Sequence, residues 1–173
     1  MTKSLILMRH LKSGWDDPSL ADRERPLAQR GIDDGPRVRA ALAARLPRPD
    51  AVLCSTARRT RETLAAVLPD LAEGAAIFSD AVYEATEQTL MRLASMLPET
   101  AETAMIVGHN PGIFDFAWTL ARRAESAGNP ALAKFPTGMV IGFALPISAW
   151  SEIGPGRGAI LDAFWPKALV SPG

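Results

Sequence analysis

Residues 3–13 read KSLILMRHLKS. Ser4 to Met8 form a near-continuous apolar run, and Arg9 and His10 close it side by side. A strand with one wet face alternates polar and apolar residues. An unbroken run is the pattern of a strand buried on both faces, as in a parallel sheet covered by helices. Short runs of the same kind recur at 51–54 (AVLC), 75–78 (AAIF) and 104–107 (AMIV), and strand-like segments follow at 139–145 and 159–164.

Helical patterns lie between these runs. Val38, Leu42 and Leu46 recur at i, i+4 and i+8 after Pro36, which is placed at the helix start. Residues 60–71 carry Leu64, Val67, Leu68 and Leu71 on one face. Residues 86–97 carry Leu90, Leu93, Met96 and Leu97 behind a capping-like T-E-Q-T, and 114–120 follows Asn110 and Pro111. Strands alternating with helices predict an α/β fold with a mainly parallel sheet and helices on both faces. The last two strands are expected as an antiparallel edge, and 126–135 as a loop.

The chain has 173 residues, 47% of them apolar, which fits one domain over 1–173. Cys54 is the only cysteine, so no intramolecular disulfide forms, which suits a cytoplasmic setting. Two histidines and one cysteine do not supply a standard structural zinc site. Five apolar or small residues after Lys3 are too few for a secretory core. The longest charge-free stretch, 135–151, is interrupted by Pro136 and Pro146 and is not expected to span a membrane. Trp15, Trp118, Trp150 and Trp165 are read as core or interface residues, with core preferred.

Net charge is zero, yet residues 1–61 hold 13 Lys and Arg against 7 Asp and Glu, and the remainder 6 against 12. A basic N-terminal part in a neutral chain points to local anion binding. Nucleic acid is not an expected partner, since such proteins are usually basic overall and this chain has one Tyr and six Phe for stacking.

Ligands of open parallel sheets sit outside the carboxyl ends of the strands. The first strand delivers Arg9 and His10 there, then Lys12 and Ser13. The second delivers Ser55, Thr56, Ala57, Arg58 and Arg59; the third, a few residues on, Glu84; the fourth, Gly108, His109, Asn110 and Pro111. Singly, each has an ordinary explanation: a strand-end histidine, a solvated helix start at Arg58, Arg59 and Arg61, a turn cap, a surface carboxylate. Together they bring matching chemistry to one rim. Cations in a first helical turn oppose the helix dipole by about 0.3–1 kcal/mol each, a cost that an anion relieves. Imidazoles and guanidiniums without a metal-ligand set suit phosphoryl transfer. A neutral imidazole nitrogen is a good nucleophile toward phosphorus, and guanidinium forks match its non-bridging oxygens.

These residues fall into three ordered motifs: M-R-H-L-K-S (8–13), Ser55-T-A-R-Arg59-T-R-E-Thr63, and V-G-H-N-P (107–111). In this the sequence resembles the histidine phosphatase superfamily, and within it the small SixA-like phosphohistidine phosphatases. Further similarity runs through R-P-L-A-Q-R-G (25–31), V-Y-E-A-T (82–86) and F-P-T-G-M-V (135–140), so it spans residues 4–145. The resemblance implies a three-layer α/β/α sandwich of the phosphoglycerate mutase-like type. It implies that His10 is the nucleophile, that Arg9, Arg59 and His109 bind phosphoryl oxygens, that Ser13 adds a hydroxyl donor and that Asn110 positions the His109 loop. Glu84 is the best positional match for the general acid, although an imidazole leaving group needs less help than an alkoxide. No metal or organic cofactor is implied.

The implied substrate is phosphohistidine on a protein, reached through an open pocket because 173 residues leave little room for a lid. Two alternatives stand beside it: a small-molecule phosphomonoesterase of the same superfamily, and a non-catalytic phosphoprotein-binding module. One departure keeps the last alive. Leu11 stands where the superfamily signature has Gly, and its bulk is expected to narrow the pocket.

Overall fold

At the centre of a six-stranded sheet lies β1 (Lys3–Arg9), between β4 (Thr103–Gly108) and β5 (Val140–Leu145). With β2 (Ala51–Ser55), β3 (Ala76–Ser79) and β6 (Ala159–Phe164), the order is β3-β2-β4-β1-β5-β6. The computed structural model describes residues 2–121 and 128–170. β1 to β4 run parallel; β5 is antiparallel to β1, and β6 to β5. The expected antiparallel edge therefore begins directly beside β1. Of the expected loop 126–135, residues 126 and 127 lie outside the described residues, and the remainder contains a 3-10 turn, Pro130–Leu132.

Successive side chains of β1 explain the unbroken apolar run. Ile6 and Met8 pack into one core layer with Val38 and Leu42 of α1 (Gln29–Arg45) and Leu64 and Val67 of α2 (Arg58–Val67). Leu5 and Leu7 pack into the other layer, with Leu90 of α3 (Glu87–Ala94) and Ile113, Phe116 and Leu120 of α4 (Gly112–Leu120). The sheet is thus covered on both faces, as a three-layer α/β/α sandwich. No described helix is long and apolar enough to cross a membrane.

The helix boundaries correct the expectations in instructive places. Pro36 does not start α1 but lies inside it, where its missing N–H removes a helical hydrogen bond. The preceding turns escape an apolar-periodicity search because they pack through glycine. A Cβ on Gly31 would stand 2.3 Å from the Lys12 carbonyl oxygen, and one on Gly35 would stand 2.9 Å from Ala66 Cβ. α2 stops at Val67, short of Leu71, because Pro69 follows and disfavours helix at the residue before it. The cap of α3 is as expected: Thr86 Oγ1 accepts the Thr89 N–H at 3.2 Å. Among the tryptophans, Trp150 is fully buried, but Trp15 and Trp118 are exposed.

Candidate active site

Parallel pairing puts the carboxyl ends of β1, β2 and β4 on one rim, and β5 closes it from the other direction. The Arg9 N–H donates to Met139 O at 3.0 Å and the Gly138 N–H to His10 O at 2.9 Å. The rim therefore holds Arg9 and His10 from β1, Ser55 from β2 and His109 from β4. α2 starts three residues after Ser55 and adds Arg59. Thr63, one turn on, ties that helix to the first loop: its hydroxyl donates to Arg59 O at 2.6 Å and accepts the Leu11 N–H at 3.0 Å.

Tautomers follow from the partners. His10 Nδ1 lies 2.7 Å from Leu11 O, and a carbonyl only accepts, so Nδ1 carries the proton and Nε2 keeps its lone pair. Arg59 Nη2 donates to His109 Nδ1 at 3.3 Å, so the His109 proton sits on Nε2 and is donated to Ser55 Oγ at 2.7 Å. The two imidazole centroids are 5.3 Å apart. Burial pushes His10 down to about 4; the Leu11 contact opposes this, and Arg59, Arg9 and Arg25 add to it. Burial, together with His10 and Arg59, pushes His109 down to about 3. Both rings are therefore neutral at neutral pH.

The guanidiniums are less completely paired. Arg9 Nη1 donates to Phe135 O at 2.9 Å, while its Nε is buried without a partner. A buried, unpaired cationic donor beside a neutral imidazole is an environment that an oxyanion completes. Burial, and then Arg59, lower the Arg9 pKa. Among the described residues, no group of three His, Cys, Asp or Glu side chains is placed to hold a metal ion.

Of the residues expected at the site, Arg9, His10, Arg59 and His109 converge. Ser13 is buried beside them, its Oγ accepting from Arg25 Nη2 at 2.9 Å and its own proton still available. Asn110 Nδ2 donates to Phe135 O at 2.9 Å, so it shares an acceptor with Arg9. Glu84 is exposed at a left-handed φ of 50°, and no hydrogen bond or ion pair joins it to the other four. Leu11 does not narrow the pocket. Its side chain is fully buried in the α1/α2 core layer, near Gly35 and Gly138, whose missing side chains leave it room.

Four functional groups had no role assigned from sequence. Ser55 Oγ accepts the Nε2–H of His109 and so fixes its tautomer. Asp22 accepts from Arg59 Nη2 at 2.9 Å and from the Tyr83 hydroxyl at 2.6 Å, and Arg25 Nη1 reaches its other oxygen at 2.9 Å. Arg25 and Tyr83 stand inside quoted motifs, which was their signal; Asp22 had none. The loop carrying Asp22 also crosses toward β3, where Arg23 pairs with Asp80 at 2.8 Å. The rim is thus covered rather than open, with His10 only 7% exposed.

No protein-family model matches the chain. An uncharacterized protein of Mycobacterium tuberculosis is 35% identical over 166 residues, 92% of this chain and 100% of that one. A protein of Nakamurella multipartitia assigned the name phosphohistidine phosphatase SixA superposes with a TM-score of 0.83 at 27% identity, covering 96% of this chain and 97% of the other. One of Agrobacterium tumefaciens assigned the same name superposes with a TM-score of 0.77 at 26% identity, covering 94% and 97%.

Proposed function

Because this chain belongs to the histidine phosphatase superfamily, as a SixA-like phosphatase, we propose that it hydrolyses phosphohistidine on a protein through a phosphoryl group carried transiently on His10. The observation that carries this reading is the His10 ring itself. Its Nδ1–H is spent on Leu11 O, which leaves the Nε2 lone pair for phosphorus. In the first step Nε2 attacks, the P–N bond to the substrate imidazole breaks, and that imidazole leaves with the electron pair and takes a proton from solvent. In the second step water attacks phosphorus, the P–Nε2 bond breaks and inorganic phosphate departs. Arg9 and Arg59 carry the charge on the equatorial oxygens, with Ser13 as a further donor and His109 joining them once its Nδ1 is protonated.

The acid supply favours this substrate class. Glu84 is not joined to the reacting groups, and the carboxylate on Arg59, Asp22, is held ionised. The Tyr83 hydroxyl and then Arg59 bring its pKa down to about 2. A phosphoramidate, whose leaving imidazole needs little protonation in the transition state, suits such a site better than an alkyl phosphate. The covered rim favours a second reading, a small phosphomonoester. Rates on a phosphohistidine-bearing protein, free phosphohistidine and p-nitrophenyl phosphate rank the two.

Incubation with a labelled phosphohistidine donor and acid-free quenching tests the proposal. Turnover is expected, with acid-labile phosphate on His10, and His10→Ala is expected to lose both. Near wild-type hydrolysis by His10→Ala would remove the assignment. Absence of turnover and label on every donor, with phosphate still bound, would favour a phosphoprotein-binding module.

A further inference from the structure

We propose that Asp22 is a positioning residue of the phosphoryl site, one that fixes one edge of the Arg59 guanidinium and turns its other edge toward His109 and the incoming phosphoryl group. The inference rests on the function proposed above. A guanidinium presents paired N–H groups along two edges. Both terminal nitrogens of Arg59 end on one residue: Nη1 donates to Asp22 O at 2.7 Å and Nη2 to Asp22 Oδ2 at 2.9 Å. That occupies the Nη1–Nη2 edge. The remaining Nη2 hydrogen is directed at His109 Nδ1, so the edge shared with Nε faces the histidines.

Asp22 is itself held by two further donors. Tyr83 donates to Oδ2, Arg25 Nη1 to Oδ1, and Arg25 is anchored in turn by Gly14 O at 3.0 Å and Ser13 Oγ. A single carboxylate thus joins the loop after β1, the start of α2 and the loop after β3. It also sets the charge. In the free site Arg9, Arg25 and Arg59 against Asp22, with both imidazoles neutral, leave an excess of two positive charges, which attracts a phosphoryl dianion.

Asp22→Asn and Asp22→Ala in the full chain test the idea. Both are expected to lower kcat/KM by about 10- to 100-fold, the range of one or two charge-assisted hydrogen bonds. The Kd for inorganic phosphate is expected to rise in parallel. Formate, small enough to enter the space vacated in Asp22→Ala, is expected to recover part of the activity in that variant and none in the wild type. Activity within twofold of wild type would overturn the proposal. So would tighter phosphate binding, which would make Asp22 a competitor of the substrate, and so would a loss that formate does not relieve, which would mark a general structural role. If the wild type forms no phosphohistidine, the proposed function fails instead, and the phosphate titrations still decide the part played by Asp22.

Discussion

At Leu11 the backbone and the side chain serve different layers. The N–H reaches Thr63 at the site, whereas the side chain fills the core. Leu11→Ala is therefore expected to cost about 2–5 kcal/mol of stability through a cavity, with KM unchanged, as read by urea unfolding and steady-state kinetics. Arg59→Ala is expected to lower kcat by about 100- to 1,000-fold, the scale for one transition-state donor. Arg59→Lys should recover little of it, because an ammonium lacks the fork. His109 leads to a third expectation. Its Nε2–H is committed to Ser55 and its Nδ1 holds no proton, so it donates to a phosphoryl oxygen only after protonation. Binding of inorganic phosphate near neutral pH should take up a proton. Calorimetry in buffers of different ionisation enthalpy measures this, and equal heats in all of them would contradict it.

At the scale of elements, the site depends on how closely α1 approaches the loop after β1. Gly31 lets the helix backbone lie on Lys12, one residue before Ser13. Gly31→Ala forces that contact apart and is expected to cost about 1–3 kcal/mol, with a fall in kcat as the loop shifts. Thermal melting and kinetics on the same preparation read both effects. α2 contributes through its first turn. Arg58 and Arg59 oppose its dipole there, Arg58 offset by Glu62 at 2.7 Å and Arg59 by Asp22.

For the molecule as a whole, the site dictates how stability varies with pH. His10 and His109 are depressed from 6.5 to about 4 and about 3. As pH falls below about 6.5, the unfolded chain takes up protons at both rings while the folded protein does not, so stability declines with acidification. Asp22 acts in the same direction lower down: its contribution is present above 3.8 and is lost as pH falls through about 2. Urea midpoints should drop between pH 7 and 4.5 in the wild type, and less steeply in His109→Gln. Identical slopes would show that burial of the ring does not govern the effect.

The order of strands and helices, the double burial of β1 and the arrival of Arg9, His10, Arg59 and His109 at one rim were all legible in the sequence. Periodicity and chain order are local properties, and parallel pairing turns that order into a common edge. Tertiary structure alone decided the rest. Half of α1 carries no apolar stripe because it packs through Gly31 and Gly35. Trp15 lies outside, 71% exposed, with Arg25 stacked on its ring, since an indole can cover a cation as well as fill a core. The partner of His109 is 54 residues away at Ser55, and that of Arg59 is 37 residues away at Asp22. Sequence spacing carries no record of such contacts. The ring tautomers, the direction of Leu11 and the hold on Arg59 are set only when distant segments meet and each buried donor finds an acceptor.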